Sequence, residues 1–191
     1  MKNILKMLSA VLLSAMFVGC SSLGLGFYPD EKTVAEYQNA VGTPENSVVF
    51  YGQICFAKSM SFSQMDPDFP PDYQEITGEI FISKPVAPGS TYVLEDLNCE
   101  ESTSTYRYIW NYSYSLQTSI NPLIINVPKE PGLYYIGVFD GRKLEEGKKA
   151  KTMRNSEKYE SYKLANVLKL YKGTVWEETI NKKIEELKNE K

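Results

Sequence analysis

The sequence predicts a mainly β protein with an appended α part: a small antiparallel β-sandwich followed by a C-terminal α-hairpin. Three observations carry this expectation. Runs rich in β-branched and aromatic residues recur between Val48 and Phe139, separated by Pro and Gly turns. One of them, Thr105 to Leu116, alternates large apolar and polar side chains with a period of two. Beyond Ser156 the apolar spacing lengthens to that of amphipathic helices.

Taken in order, Thr33-Val34-Ala35-Glu36 fits a capping box and opens a short helix ended by Gly42. Val48 to Phe56 follows as a strong first strand, with Gly52 marking a bulge. Ser59 to Gln74 holds three prolines and reads as a loop or a sheet edge, because proline cannot donate to a ladder. Its Asp66, Asp68 and Asp72 are read as turn acids; they lack the spacing of a calcium loop, and no metal site is expected. Glu75–Ser83 and Ser90–Leu97 are the second and third strands.

The run from Thr105 then places Tyr106, Tyr108, Trp110, Tyr112, Tyr114 and Leu116 on one face and Arg107, Ile109, Asn111, Ser113 and Ser115 on the other. Exposed, the aromatic row would suit a sugar or a protein partner. Buried, it would be the inner face of the sandwich. Burial is the reading adopted, since so large an exposed patch is rare and the opposite face is polar. The ends of the row, Tyr106 and Tyr114, are the positions expected to emerge and meet a partner.

Pro122–Pro128 is a short strand between prolines, and Leu133–Phe139 is the last. Residues 142–155 are charged and read as a mobile linker. Leu164, Ala165, Leu168 and Tyr171 form a helical stripe stopped by Gly173. Thr174-Val175-Trp176-Glu177 caps a second helix with Trp176, Ile180, Ile184 and Leu187 in register. Packing of Trp176 and its stripe on the other helix or the sheet is the reading adopted; the alternative is that Trp176 anchors a partner. The implied organisation is 1–19 leader, 20–46 tether and short helix, 47–141 sandwich, 142–155 linker and 156–191 hairpin.

The leader has its own signature. Lys2 and Lys6 precede an uncharged apolar run, Met7 to Val18, too short to span a bilayer but right for a signal-peptide core. It ends in Phe17-Val18-Gly19-Cys20. Here the chain resembles bacterial lipoproteins, whose lipobox sets a small residue before a cysteine that becomes the mature N-terminus. Phe17 stands where leucine is common, similar to the relaxed lipoboxes of spirochaete-type lipoproteins. The resemblance implies a diacylglyceryl group on the Cys20 thiol, an acyl chain on its amine, and a protein tethered to the cell envelope, at an outer membrane or cell surface rather than an inner membrane. Two or more chains, at about 0.8 kcal/mol per buried methylene, make such an anchor nearly permanent. The Pro131-Gly132-Leu133-Tyr134-Tyr135 run, continuing to Phe139, resembles the closing strand of immunoglobulin-like and transthyretin-like modules of surface lipoproteins.

Composition excludes several chemistries. The 191 residues contain no histidine, which removes His-based nucleophile systems and the commonest transition-metal ligand. No phosphate-cradling Gly loop or nucleophile elbow is present, and no cofactor is implied. Residues 21–141 carry five basic and fifteen acidic side chains, while 142–191 carry fourteen basic and nine acidic. The acidic sandwich argues against a nucleic-acid partner. With Cys20 acylated, Cys55 and Cys99 are left as a pair in an oxidising compartment, and a disulfide between them is plausible beside the alternative of one buried and one exposed thiol. The function expected is a non-catalytic binding or interaction module with an envelope protein or glycan as partner. A small hydrolase using the acids of residues 66–75, or a structural spacer, are the alternatives.

Overall fold

The computed structural model describes residues 29–102, 105–153 and 159–189. The leader and Cys20 lie outside the described residues.

Two β-sheets and a helical layer stack in three tiers. The first sheet has three strands in the order β4 (Ile80–Ile82), β1 (Val48–Cys55), β8 (Gly132–Asp140). The second has five: β3 (Tyr73–Thr77), β2 (Ala57–Gln64), β5 (Thr91–Ser102) and β6 (Arg107–Ser113) in order, with β7 (Ile124–Asn126) also on β5. Among the described residues three α-helices complete the fold: α1 (Glu31–Gln38), α2 (Glu160–Tyr171) and α3 (Glu177–Asn189). The fold is thus the mainly β sandwich with appended α that the sequence predicts.

The core divides at the three-stranded sheet. Phe50, Ile54, Phe62, Phe81, Leu94 and Leu97 fill the space between the sheets. Val49, Tyr51, Ile82, Leu164, Val167 and Trp176 form a second cluster between that sheet and the helices. Successive β1 residues therefore serve opposite clusters, as period-two alternation requires. Every residue of β1 is buried. Such double burial suits a parallel neighbour, and β1 pairs with β8 in parallel, whereas the other described pairings are antiparallel. The bulge expected at Gly52 is present as a register shift after Tyr51. A Cβ there would come within 2.4 Å of the Phe81 ring and 2.7 Å of the Gly137 carbonyl.

Several expectations are corrected. The first half of the expected loop is strand β2, because Met60 and Phe62 point inward between outward Ser59 and Ser63. The second expected strand is two strands in different sheets, divided at Gly78, whose φ of +94° turns the chain from one sheet to the other. A second such crossing falls at Phe56, with φ +70°. There the backbone is pinned: its N–H donates to Glu79 Oε1 at 2.7 Å, its carbonyl accepts from Glu100 N at 2.8 Å, and the Arg142 guanidinium covers its ring at 4.0 Å.

The expected linker is packed over its described part. Leu144 is buried, Ala150 N donates to Pro122 O, and Met153 N donates to Val138 O along the outer edge of β8. In α1 the cap is Asp30, which accepts from Thr33 N at 2.7 Å, rather than Thr33 itself. The buried stripe of α2 is Leu164, Val167, Leu170 and Tyr171, with Lys163 and Asn166 also inside and Ala165 exposed.

The pairing of Cys55 with Cys99 is also overturned. Ile54 faces the space between the sheets, so its neighbour Cys55 points the other way, with Sγ 3.7 Å from Met153 Sδ. Cys99 faces that inner space as a free, buried thiol. Burial, reinforced by Asp140 and Glu79, pushes it up to about 11, which makes it a poor nucleophile. Cys55 is itself not free, but its sulfur is engaged elsewhere than with Cys99.

Candidate functional site

The five-stranded sheet turns one face inward to the core and leaves the other to solvent. Pairing register sets what that outer face presents. Ser61 lies opposite Glu75 on one side and Asp96 on the other, and Asp96 lies opposite Ser113. One row over, Ser59 lies opposite Thr77 and Asn98, and Asn98 opposite Asn111. Hydroxyl, carboxylate and amide groups from four strands thus meet in two cross-strand rows.

Apart from Thr77, these groups line an open groove of about 170 Å³, with Tyr73 at its rim, 52% exposed. They are already tied to one another. Ser113 Oγ donates to Asp96 Oδ1 at 2.7 Å, Asn98 Nδ2 donates to Ser59 Oγ at 2.8 Å, and Asp96 N donates to Ser61 Oγ at 3.2 Å. Beside them Ser63 Oγ donates to Glu95. Mounting on paired strands fixes the donors and acceptors more firmly than loops would. A volume below that of usual small-molecule pockets makes the site a shallow platform. Its chemistry suits a ligand that is itself a dense array of donors and acceptors, with one aromatic face for packing.

The residues singled out from sequence are scattered. Tyr106 is 63% exposed, as expected of a row end. Tyr114, the other end, is buried, and its hydroxyl donates to Leu144 O at 3.1 Å because residues 141–150 close over that end of the sandwich. Trp176 is 1% exposed between α2 and the three-stranded sheet, with Nε1 donating to Gly42 O at 3.1 Å. Neither Tyr114 nor Trp176 offers a surface to a partner. Between the ends, Trp110 and Tyr112 pack on the inner core while Tyr108 is half exposed.

The acids of residues 66–75 do not act together. Asp66 accepts from Asp68 N in a turn, and Asp72 accepts from the Tyr92 hydroxyl at 2.5 Å. Among the described residues no three of the metal-ligating side chains His, Cys, Asp or Glu converge on one point. Only Glu75 of this group reaches the groove. The groove residues themselves were absent from the sequence-based candidates. The strand alternation of Ser59, Ser61 and Ser63 was the available signal, and the prolines downstream obscured it.

Compared with known protein families, characterised proteins and solved structures, the chain matches none.

Proposed function

We propose that this protein is a lipid-anchored, non-catalytic binding module of the cell envelope, tethered through Cys20 and reading an envelope glycan with the outer face of its five-stranded sheet. The observation that carries the binding half is the four-strand array of Ser59, Ser61, Glu75, Asp96, Asn98, Asn111 and Ser113 around one open groove. The anchoring half rests on the charged leader, apolar run and Gly19-Cys20 junction.

The binding test is a titration of the isotope-labelled mature chain, Cys20 replaced by Ser, with peptidoglycan fragments and other envelope oligosaccharides. Amide shifts should concentrate at Ser59, Ser61, Asn98 and Asn111, and Asp96→Ala should weaken binding at least about tenfold, the loss of one good charge-assisted contact. No saturable binding across the set, or shifts centred on the helices, would defeat the glycan reading. Capture of an envelope protein on the same face would replace it with a protein ligand.

Anchoring is tested by mass spectrometry of the mature N-terminus and by labelling with palmitate, which Cys20→Ser should abolish. A thioether on Cys20 and a disulfide from Cys20 to Cys55 use the same sulfur and exclude each other. Recovery of the disulfide-linked peptide from cells would therefore sink the anchor.

One observation favours the hydrolase alternative: Glu75 and Asp96 flank Ser61 in the same groove. Turnover of the same fragments, lost in both Glu75→Gln and Asp96→Asn, would make the platform an active site.

A further inference from the structure

Sheet edges in this fold are mostly protected. The outer edge of β8 is met by Met153, β4 is three residues long, and β3 is five residues long and preceded by Pro70-Pro71. β6 is different. Seven residues long, it pairs with β5 on one side and meets no described strand on the other. Its single charge, Arg107, is already paired with Glu100 at 2.7 Å. Tyr106, Tyr108 and Ile109 are left 63%, 49% and 57% exposed.

The direction of the unpaired groups follows from the register. Tyr114 N donates to Glu95 O at 2.7 Å, so the amides of Tyr112, Trp110 and Tyr108 also face β5. The N–H and C=O groups of Arg107, Ile109, Asn111 and Ser113 consequently point to the open edge.

We infer that this edge pairs with the same edge of a second copy of the chain, antiparallel about a two-fold axis through Trp110. A two-fold strand pair brings each residue opposite its mirror position in the sequence, so it demands a strand whose two halves match. This one does. On the inner face the order from residue 106 to 114 is Tyr, Tyr, Trp, Tyr, Tyr, a palindrome centred on Trp110. Tyr108 then lies against Tyr112 of the second copy, and Tyr106 against the 141–150 segment that covers its Tyr114. On the outer face Ile109 lies opposite Asn111, and Arg107 opposite neutral Ser113, so no like charges meet. The pairing satisfies the four outward-facing residues, covers the exposed Tyr106–Tyr108 end of the aromatic row, and joins two five-stranded sheets into one. It does not depend on what the outer groove binds.

The test uses the full-length chain in detergent, with a photo-reactive residue in place of Arg107. Irradiation of mixed light and heavy chains should give an intermolecular cross-link to the neighbourhood of Ser113. Asn111→Pro removes an outward N–H together with the groove-lining amide, and should lower the dimer fraction at least about tenfold, as expected for lost ladder bonds at the centre of a strand pair. Its circular dichroism should not change. If that variant fails to fold, Ile109→Lys puts a charge on the same edge and should have the same effect. A chain that sediments as a monomer at every concentration reached, a dimer indifferent to these substitutions, or cross-links mapping to another surface would overturn the inference.

Discussion

The two sheets come from one continuous stretch of chain and live under opposite conditions. The three-stranded sheet is covered on both faces, by the other sheet and by the helices, and all eight β1 residues are buried. The five-stranded sheet is covered on one face only, and β3 accordingly alternates exposed and buried residues. A doubly covered sheet has every side chain committed to packing. A singly covered sheet keeps half of them for recognition, which is why the groove lies there. Substitutions should therefore have large effects on stability in the helix-covered tier and small ones on the open face.

Trp176→Ala is the strongest test of that contrast. The indole is buried against Tyr171, with ring centroids 6.0 Å apart, and removing it opens a cavity beneath α3. A loss of about 3–5 kcal/mol is expected, read by urea unfolding. Tyr73→Ala, an aromatic truncation on the rim of the open face, should cost under about 1 kcal/mol. Equal losses would erase the distinction between the tiers.

Lys163→Met sharpens the comparison from the other direction. Lys163 is buried beside the doubly covered sheet, its Nζ 4.7 Å from the Tyr162 ring centroid. Burial pushes its pKa down from 10.5 to about 8, against the pull of Glu79. The charged form is thus a burden to the folded state at neutral pH. Replacing it should stabilise by about 1–3 kcal/mol at pH 7. Glu79 is not orphaned, since Gln53 Nε2 and Phe56 N each donate to it at 2.7 Å. The sign with pH is fixed by linkage. Between about 8 and 10.5 the unfolded lysine holds its proton while the folded one has released it, so the wild type gains stability as pH rises through that window. The advantage of the variant should shrink over the same range. An advantage that is constant with pH would mean that packing, not charge, sets the difference.

How much of this was legible in the sequence follows the same division. The first and last strands announce themselves as near-continuous apolar runs, and β6 through its strict alternation. Their parallel partnership across eighty residues leaves no local trace. β2 was hidden because serine is a poor strand former, although Met60 and Phe62 keep the period. Gly78 and Phe56, two of the corners where the chain changes sheets, depend on tertiary hydrogen bonds and a cation over a ring that no spacing encodes. The groove was illegible for a related reason. Its polar residues come from four strands, and only the register makes Ser61, Asp96 and Ser113 neighbours. Lipidation at Cys20 stands apart, read wholly from the leader.

A smaller effect is expected at the start of α1. Asp30 accepts from Thr33 N, and that bond holds its carboxyl below the usual range. Asp30→Ala should destabilise the chain by loss of its N-cap. It should appear as a lower thermal midpoint with an unchanged five-stranded sheet. Because the folded carboxyl is the stronger acid, its contribution is present at neutral pH and fades as pH falls through the folded-state value. A wild-type to variant gap that persists in acid would assign the effect to helix propensity instead.

The smallest effect on stability is expected at Asn98→Ala. Its amide donates to Ser59 Oγ at 2.8 Å, but both groups sit on the open face, where water can replace either partner. The neighbouring rows stay intact, because the Ser113–Asp96 bond does not involve it. Stability should change by no more than about 0.5 kcal/mol, as for exposed polar substitutions elsewhere. Ligand affinity, in contrast, should fall, since the groove loses a fixed donor at its centre. A large stability loss would place Asn98 among the structural residues of the sheet. Undiminished affinity beside an unchanged fold would instead move the recognition surface off this face.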